Sequence, residues 1–330
     1  MKKQLVALAI GTSMFALVAA GSASASLNVF QTYVGSYGVS STGFGSTSDA
    51  GNITATVPAG STVVAAYLYS NTYFNAPPPT GTLAGDTVNY STALANIGSL
   101  QASRADVTSI LAPLINGGPG GTYSFGITET SSNVNGEALV VIYQNAALST
   151  TTIGILDGGS AQGGDNSTIS FGTPLDPSAP GFQAEMRIGD SHSCCDQAST
   201  ITVNGNTLTT VAGNDDDNVD GFDANGNLIT VGGQDDPFTA ASLGSPATNY
   251  ATDHERYDLS SFIAQGDTAI HINTVNPSQD DDIFLEIFQV TGEGHVSSGT
   301  PEPATWAMML TGFAGLGAML RRRKAASAAA

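Results

Sequence analysis

Basic side chains are almost missing from the middle of this 330-residue chain. No lysine lies between Lys3 and Lys324, and residues 26–300 contain only three arginines against 27 acidic residues. Such a polyanion is repelled by phosphate backbones and by anionic lipid surfaces. Without a lysine, this region also has no phosphate-binding loop of the G-x-x-x-x-G-K-[ST] type. The composition therefore excludes nucleic-acid binding and makes divalent cations suitable partners.

Cysteine is equally scarce, and its two copies are neighbours, Cys194 and Cys195. Adjacent Cα atoms are about 3.8 Å apart, below the roughly 4.4–6.8 Å of ordinary disulfides. Three roles stay open: a strained vicinal disulfide or other structural role, pairing with another chain, or Cu or Zn binding together with His192 and Asp196. Because no long-range disulfide is available, the body must depend on burial of a core for its stability.

The N-terminus has the pattern of a secretory signal peptide. Two lysines are followed by an apolar stretch from Leu5 to Ala20 and by the small residues Ala23-Ser24-Ala25. The apolar stretch is shorter than the roughly 20 residues that a membrane-spanning helix needs. The pattern predicts that residues 1–25 are a signal peptide, removed by signal peptidase after export.

The C-terminus carries a second processing pattern. An apolar stretch over 304–320 is preceded by Pro301, Glu302 and Pro303 and followed by a basic cluster over 321–324 that begins with Arg321, Arg322 and Arg323. A helix of this length spans about 25 Å, which is short for a bilayer. The basic cluster should stay on the cytoplasmic side of the membrane, which leaves the preceding residues outside.

This order of a Pro-Glu-Pro triplet, a hydrophobic stretch and an arginine cluster resembles the tail of PEP-CTERM proteins. Exosortase transpeptidases sort such proteins in Gram-negative bacteria that produce exopolysaccharide. The resemblance covers only about the last 25 residues and predicts a sorting tail over 297–330. It implies that exosortase is a processing partner, that 304–320 holds the chain in the inner membrane before cleavage, and that the product reaches the cell surface or extracellular matrix. A plain tail-anchored protein is the alternative.

The region between the two ends is predicted to be all-β. Short runs rich in Val, Ile, Tyr, Phe and Thr alternate with Gly, Asn, Asp and Pro clusters. We expect strands at 63–69, 123–128, 137–143, 151–156, 200–203, 267–273 and 283–290. Asn204-Gly205 and Asn225-Gly226 are typical of type I′ hairpin turns. Alternation in 267–273 and 282–290 favours sheets with one buried face. Many short strands with glycine-rich turns indicate a β-sandwich or jelly roll.

A weak internal repeat divides this region. The nine residues from Arg104 to Ala112 align with those from Arg256 to Ala264, and a turn and two strands follow each copy. The repeat predicts two related sandwich domains, 26–163 and 164–296, with one large sandwich as the alternative. In each copy the aspartate, Asp106 or Asp258, is placed to cap a short helical turn. The arginine two residues earlier is expected to pair with a carboxylate or with loop carbonyls.

One loop resembles a calcium-binding sequence. Asp216, Asn218 and Asp220 precede Gly221 in the spacing of the first half of the D-x-[DN]-x-[DN]-G calcium loop. The twelfth position is Asn227 instead of the usual bidentate glutamate, and Asp223, Asp235 or Asp236 could replace it from a neighbouring turn. A solvated acidic loop is the alternative, because these residue types also favour turns.

A second acidic run, Asp280-Asp281-Asp282, stands before the last predicted strand. Three adjacent like charges are either exposed or neutralised by a cation, and exposure is the expectation.

Signatures of enzymes are missing. His254-Glu255 begins like H-E-x-x-H, but Asp258 stands where the second histidine would be, and no G-x-S-x-G occurs.

We therefore expect a non-catalytic, exported surface or matrix protein associated with exopolysaccharide. One alternative is a Ca²⁺-dependent carbohydrate-binding or adhesin module. A sugar platform would then come from aromatic residues such as Tyr67, Tyr69, Tyr73 and Phe74. The other alternative is a polysaccharide hydrolase.

Overall fold

The computed structural model describes residues 26–45, 49–97, 99–130, 133–161, 163–191, 199–213, 229–234, 236, 255–276 and 282–298. Several predictions fall outside these residues. They are the signal peptide, the sorting signal with Pro301, Glu302, Pro303 and Arg321 to Arg323, the cysteines Cys194 and Cys195, and the calcium-loop residues Asp216, Asn218, Asp220 and Asp223. The part of the chain from Ser24 to Thr300 forms one compact unit.

The described residues are mostly β-strand, as the sequence predicts. In the first half the elements are β1 (Asn28–Gly35), β2 (Tyr37–Gly45), β3 (Ala50–Val57), β4 (Thr62–Thr72), β5 (Gly81–Leu83), β6 (Asp86–Val88), β7 (Thr92–Ile97), β8 (Leu100–Asp106), α1 (Thr108–Ile115), β9 (Gly121–Glu129) and β10 (Val134–Gln144). In the second half they are β11 (Thr151–Asp157), β12 (Asp165–Phe171), β13 (Ala184–Ser191), β14 (Ser199–Val203), β15 (Asn206–Ala212), β16 (Ile229–Val231), β17 (Arg256–Asp258), a 3₁₀ helix (Ser260–Phe262), β18 (Ala269–Val275), β19 (Asp282–Thr291) and β20 (Gly294–Ser298).

All seven predicted strands are confirmed, as β4, β9, β10, β11, β14, β18 and β19. The hairpin turn between β14 and β15 is also confirmed. Asn204 and Gly205 have φ values of +49° and +78°, the positive values that a type I′ turn needs at both central positions. The second predicted turn, Asn225-Gly226, lies outside the described residues.

The strands form four antiparallel sheets. The first sandwich consists of an outer sheet in the order β3-β9-β5-β6 and an inner sheet in the order β2-β10-β4-β8-β7. The second sandwich consists of an inner sheet in the order β1-β11-β19-β13-β16, with β17 also paired to β13, and an outer sheet in the order β15-β14-β18-β12-β20.

Three apolar cores separate these four layers. The core of the first sandwich includes Ile53, Leu68 and Leu139, and that of the second includes Ile188 and Phe288. The third core lies between the two inner sheets and joins side chains of β4 and β10 to side chains of β11 and β19. The two sandwiches therefore stack through their inner sheets.

The inner strands are buried on both faces because each inner sheet lies between two cores. The expectation of one buried face holds for β18, where burial alternates, but it is wrong for β19, where all but two residues are buried. Apolar residues on both sides of a strand are what a doubly covered sheet requires.

The order of strand pairing is the same in the two sandwiches. The inner order β2-β10-β4-β8 recurs as β11-β19-β13-β17, and the outer order β3-β9-β5-β6 recurs as β12-β18-β14-β15. Helix α1 follows β8 just as the 3₁₀ helix follows β17. Two strands do not follow the predicted domain boundary at 163/164. Strands β1 and β11 precede the boundary but pair within the inner sheet of the second sandwich.

The first and last described strands are both edge strands. Strand β1 pairs with β11 alone, and β20 pairs with β12 alone. Ser26 donates a hydrogen bond to Asp165 at 3.0 Å, and Ser298 is paired with Ser167. The two ends of the described chain therefore lie close together on either side of β12.

Candidate functional site

The strand ends that flank the predicted sites meet at one end of the molecule. In the second sandwich, Ser191 is paired with both Ile229 and Asp282, and Ser199 is paired with Ala212. These residues flank segments 192–198, 214–228 and 277–281, which include the cysteine pair and the predicted calcium loop. We call this the loop end.

The first sandwich contributes to the same loop end. Its strands β2 and β10 end there, where Gly45 is paired with Gly136. A Cβ atom added to Gly136 would lie 2.5 Å from Cγ2 of Ile229, so the two sandwiches are in close contact at this position. The β4–β5 connection also leaves from this end, because Thr72 is paired with Val134.

An aromatic pair stands on the β4–β5 connection. Phe74 is 74% exposed, and its ring lies edge-on to Tyr73 with centroids 4.8 Å apart. Phe74 and Asn75 both have positive φ values, +56° and +55°, which a bulky residue such as Phe rarely adopts. Two backbone hydrogen bonds fix the connection: Tyr73 N–H donates to Asn133, and Asn75 N–H donates to Ser99.

The predicted sugar platform is only partly supported by this geometry. Tyr67 and Tyr69 are buried in the core between the inner sheets, because inner strand β4 is covered on both faces. Only Phe74 and the partly buried Tyr73 remain on the described surface.

Asp282 corrects the expectation of an exposed acidic run. It is the first residue of β19 and is fully buried. Its carboxyl group accepts a hydrogen bond from the Ser160 amide at 3.2 Å. Asp280 and Asp281 lie outside the described residues.

Two glutamates face each other inside the first sandwich at the loop end. Glu137 on inner strand β10 and Glu129 on outer strand β9 are 1% and 3% exposed. Burial and the hydrogen-bonded carboxyl of Glu129 raise the pKa of Glu137 well above its usual range. The pKa of nearby Tyr90 is also raised, first by burial and then by both carboxylates. Two carboxylates this close are not both charged unless a cation compensates them.

Two serines lie beside Glu137 on the same inward face. Ser70 is paired across the inner sheet with Glu137 on one side and with Ser103 on the other. Both serines are fully buried, and neither hydroxyl has a hydrogen-bond partner among the described residues. Asn135, two residues before Glu137, is also buried with both amide atoms unpartnered in that part of the chain.

The second sandwich holds a different acidic pair. Glu286 on β19 has a pKa raised to about 8, because it is buried and lies near Asp165, while the Ser167 hydroxyl opposes this rise. Asp165 has a pKa raised by burial, but the Ala161 amide, the Ser26 hydroxyl and the Leu27 amide act against it. Asp165 is therefore the member of this pair that neutral hydrogen-bond donors stabilise.

Arg104 joins the two sandwiches at one position. Its guanidinium on β8 forms an ion pair with Asp157 on β11 and lies 3.3 Å above the centroid of the Phe30 ring. The Tyr69 hydroxyl donates to the same carboxylate at 3.1 Å. Burial lowers the pKa of Arg104, and the nearby Tyr69 and Tyr67 act against this shift.

Arg187 joins the sandwiches at a second position. Its side chain is 2% exposed and forms an ion pair with Glu185, whose other carboxylate oxygen lies 3.0 Å from Nη2 of Arg256. Arg187 also donates to Ser41 on β2 at 3.0 Å, which ties this network to the first sandwich. Arg256 donates to the backbone carbonyls of Gln234 and Asp236.

These contacts confirm the predicted roles of the repeat. Arg104 and Arg256 pair with carboxylates, and Arg256 also binds loop carbonyls. Asp106 accepts a hydrogen bond from the Thr108 amide at 2.9 Å, and Asp258 accepts one from the Ser260 amide at 2.8 Å. Each aspartate therefore binds the first amide of the helical turn that follows, one residue before the N-cap positions Val107 and Leu259.

One open groove lies on the described surface beside helix α1. This groove is polar, is lined by Asp86, Asn89, Asp106 and Ser109 and is open to solvent. Within the described ranges, no three His, Cys, Asp or Glu side chains come together as a metal-binding group. In the same part of the chain, no helix has the length and apolar character needed to cross a membrane.

Comparison with known proteins adds no assignment. No family model matches the chain, and no curated protein matches it. Among solved structures, a chain of the Sputnik virophage, determined by cryo-EM, aligns with 9% identity over 89% of this chain and 91% of that chain. Its TM-score of 0.18 is too low to support a common fold or function.

The sequence contains a signal for the buried acids that lies outside any local motif, namely a glutamate within an apolar strand. Glu137 and Glu286 interrupt apolar strands, in EALVVIY and IFLEIF. A charged residue inside a doubly buried strand needs a specific partner. These two positions therefore indicate buried polar contacts. The partner residues Glu129 and Asp165 come from other strands and carry no local signal.

Proposed function

We propose that the protein is an exported, non-catalytic surface or matrix protein sorted by an exosortase. The observation that carries the proposal is the inward placement of every arginine between residues 26 and 300. Arg104, Arg187 and Arg256 are all used in internal ion pairs. With no lysine in this range, the described surface offers acidic and neutral groups and two exposed histidines, His271 and His295.

Such a surface suits a hydrated, largely neutral polymer better than a phosphate-rich partner. Repulsion between acidic surfaces keeps copies of a protein apart and soluble, and it disfavours nucleic acid and anionic lipid. We therefore expect the protein to act within extracellular polysaccharide. Its proposed processing partners are signal peptidase and exosortase. The terminal patterns at 1–25 and 297–330 support this route.

We also propose that the body consists of two jelly-roll sandwiches related by internal duplication. The recurrence of one pairing order in both sandwiches supports this, together with the equivalent caps at Asp106 and Asp258. A jelly roll is eight strands in two sheets formed by two Greek keys. The gathering of both sets of loops at one end then follows from stacking two copies with the same orientation.

Deletion of residues 301–324 in the native organism tests the sorting proposal. We expect the truncated protein to be lost from the cell surface and matrix, as measured by fractionation and immunodetection. Deletion of residues 325–330, beyond the basic cluster, is the matched control and should leave sorting intact. Unchanged surface delivery after the first deletion would count against the proposal.

A Ca²⁺-dependent carbohydrate-binding function is the second candidate. It is favoured because the strands that flank the predicted calcium loop, β15 and β16, end at the loop end, where the exposed Phe74 stands. Binding of neutral glycans by residues 24–300, measured on a glycan array with Ca²⁺ and with EDTA, tests it. Binding that does not change with EDTA would remove Ca²⁺ from this function, and turnover of a glycan would favour the hydrolase instead.

A further inference from the structure

We propose that the interior of the first sandwich contains a calcium-binding site formed by Glu129 and Glu137, with Ser70 and Ser103 as neutral oxygen ligands. This site is separate from the predicted loop at 214–228. Its residues come from both sheets of the first sandwich: Glu137, Ser70 and Ser103 from three adjacent inner strands, and Glu129 from the outer sheet facing them.

The inward direction of these side chains follows from the strand register. Residues two positions apart on a strand share a face, and directly paired residues on neighbouring strands share it too. Leu139, Leu68 and Ala105 belong to the core of the first sandwich. Glu137, Ser70 and Ser103 stand two positions from them along their respective strands, so all three are directed into that core. The Glu129 carboxyl reaches the same place from β9, two positions after Ile127.

A shared proton would satisfy only part of this cluster. It would bridge one oxygen of each glutamate and would leave the hydroxyls of Ser70 and Ser103 unpartnered among the described residues. Ca²⁺ takes six to eight oxygen ligands in flexible geometry and accepts carboxylates, amide carbonyls and water. One ion would therefore bind both carboxylates and both hydroxyls.

Charge balance favours a divalent ion. Both carboxylates can be ionised only if about two positive charges lie beside them, and no arginine supplies these charges here. Arg104, on β8 next to Ser103, is directed to the opposite face of the sheet, where it pairs with Asp157. The available ligands are all oxygens, which suits Ca²⁺ and disfavours Zn²⁺ or Cu²⁺. With two carboxylates, the expected affinity is in the range of weak extracellular sites, about 10⁻⁴ M.

Thermal unfolding of residues 24–300 with Ca²⁺ or EDTA at neutral pH tests the site. About 10 mM Ca²⁺, roughly 100 times the expected Kd, should raise the Tm by about 5 °C. Glu137→Gln should abolish this shift. Glu286→Gln, a buried glutamate of the second sandwich, and the double variant Asp216→Asn, Asp220→Asn should both retain it. No shift in the wild-type protein would overturn the proposal, and so would a shift that only the loop variant abolishes.

Terbium luminescence gives a second measurement that does not depend on Glu137→Gln folding. Tb³⁺ replaces Ca²⁺ at oxygen sites, and Tyr90, which lies near both carboxylates, should transfer its excitation to the bound ion. Tyr90→Phe should remove most of the sensitised emission while it leaves the Ca²⁺-induced Tm shift in place. Ser70→Ala should weaken Ca²⁺ binding several-fold. Emission that Tyr90→Phe leaves unchanged would place the bound ion elsewhere and overturn the proposal.

Discussion

The two sandwiches share a strand order but accommodate their buried acids differently. In the first, Glu129 and Glu137 face each other across the core, and unpartnered hydroxyls lie beside them. In the second, Asp165 accepts hydrogen bonds from neutral donors and lies near the buried Glu286. The same topology therefore holds two kinds of acid pair. Hydrogen-bond donors stabilise the pair in the second sandwich, whereas the pair in the first sandwich depends on a proton or a cation. The arginines differ too, because Arg187 is more deeply buried than Arg104.

The largest expected difference concerns these arginines. Arg187→Met should lower the free energy of unfolding by about 3–5 kcal/mol, since it breaks a fully buried ionic network. Arg104→Met should cost less, about 1–3 kcal/mol, because the Tyr69 hydroxyl still donates to Asp157. Urea denaturation of residues 24–300 measures both. Equal losses in the free energy of unfolding would mean that the deeper burial of Arg187 does not increase the contribution of its ion pair to stability.

The next effect is the pH dependence due to Glu286. Its pKa of about 8 in the folded protein exceeds the ordinary 4.5, so the folded state retains a proton that the unfolded chain has lost. Its stabilising contribution is complete below pH 4.5 and is lost as the pH rises through 8. Glu286→Gln should remove this slope and, above that range, exceed the wild-type stability by on the order of 3 kcal/mol.

Unfolding free energies measured across this pH range check the prediction. Glu293→Gln, at an exposed glutamate, is the control and should keep the wild-type slope. Parallel curves for wild type and Glu286→Gln would show that Glu286 is ionised in the folded protein.

A smaller and symmetric effect is expected at the caps. Asp106→Ala and Asp258→Ala each remove one hydrogen bond to a backbone amide and should each cost about 1 kcal/mol. Asp86→Ala, at the exposed first residue of β6, should cost little. Chemical denaturation of the three variants measures this. A cost at only one of the two caps would weaken the case for internal duplication.

The smallest effect is a gain in stability at the loop end. Asn adopts positive φ values more readily than Phe, so Phe74→Asn should stabilise the protein by about 0.5 kcal/mol. The loss of the ring contact with Tyr73 limits the gain. Phe74→Leu keeps the unfavourable backbone conformation and should give no increase. A Tm for Phe74→Asn below that of the wild type would mean that the aromatic contact outweighs the strain.

Much of the fold could be predicted from local patterns. The apolar runs located seven strands, the Asn204-Gly205 pair located a hairpin, and the nine-residue repeat placed Asp106 and Asp258 at helix starts. These features depend on neighbouring residues alone. Strands such as β5, β6 and β17 have only three residues each and carry no periodicity that would reveal them.

The stacking of the sandwiches and the buried acids could not be predicted in the same way. Alternation in DIFLEIFQV is compatible with a sheet open on one side, and only the position of β19 between two cores shows why Ile287 and Phe288 are both buried. The meeting of Glu129 with Glu137 depends on two sheets that face each other. The predicted sites at 194–195, 216–223 and 301–323 stay predictions, because they lie outside the described residues.

The neighbouring ends of the described chain have a mechanical consequence. A force applied between residues 26 and 298, as when a polymer network pulls on a tethered protein, would load β1 and β20 first. Both are edge strands with a single neighbour, so their backbone hydrogen bonds would break one after another. Because Leu27 and Val296 belong to the core of the second sandwich, this lengthening would open that core at its edge, while the core of the first sandwich stays closed.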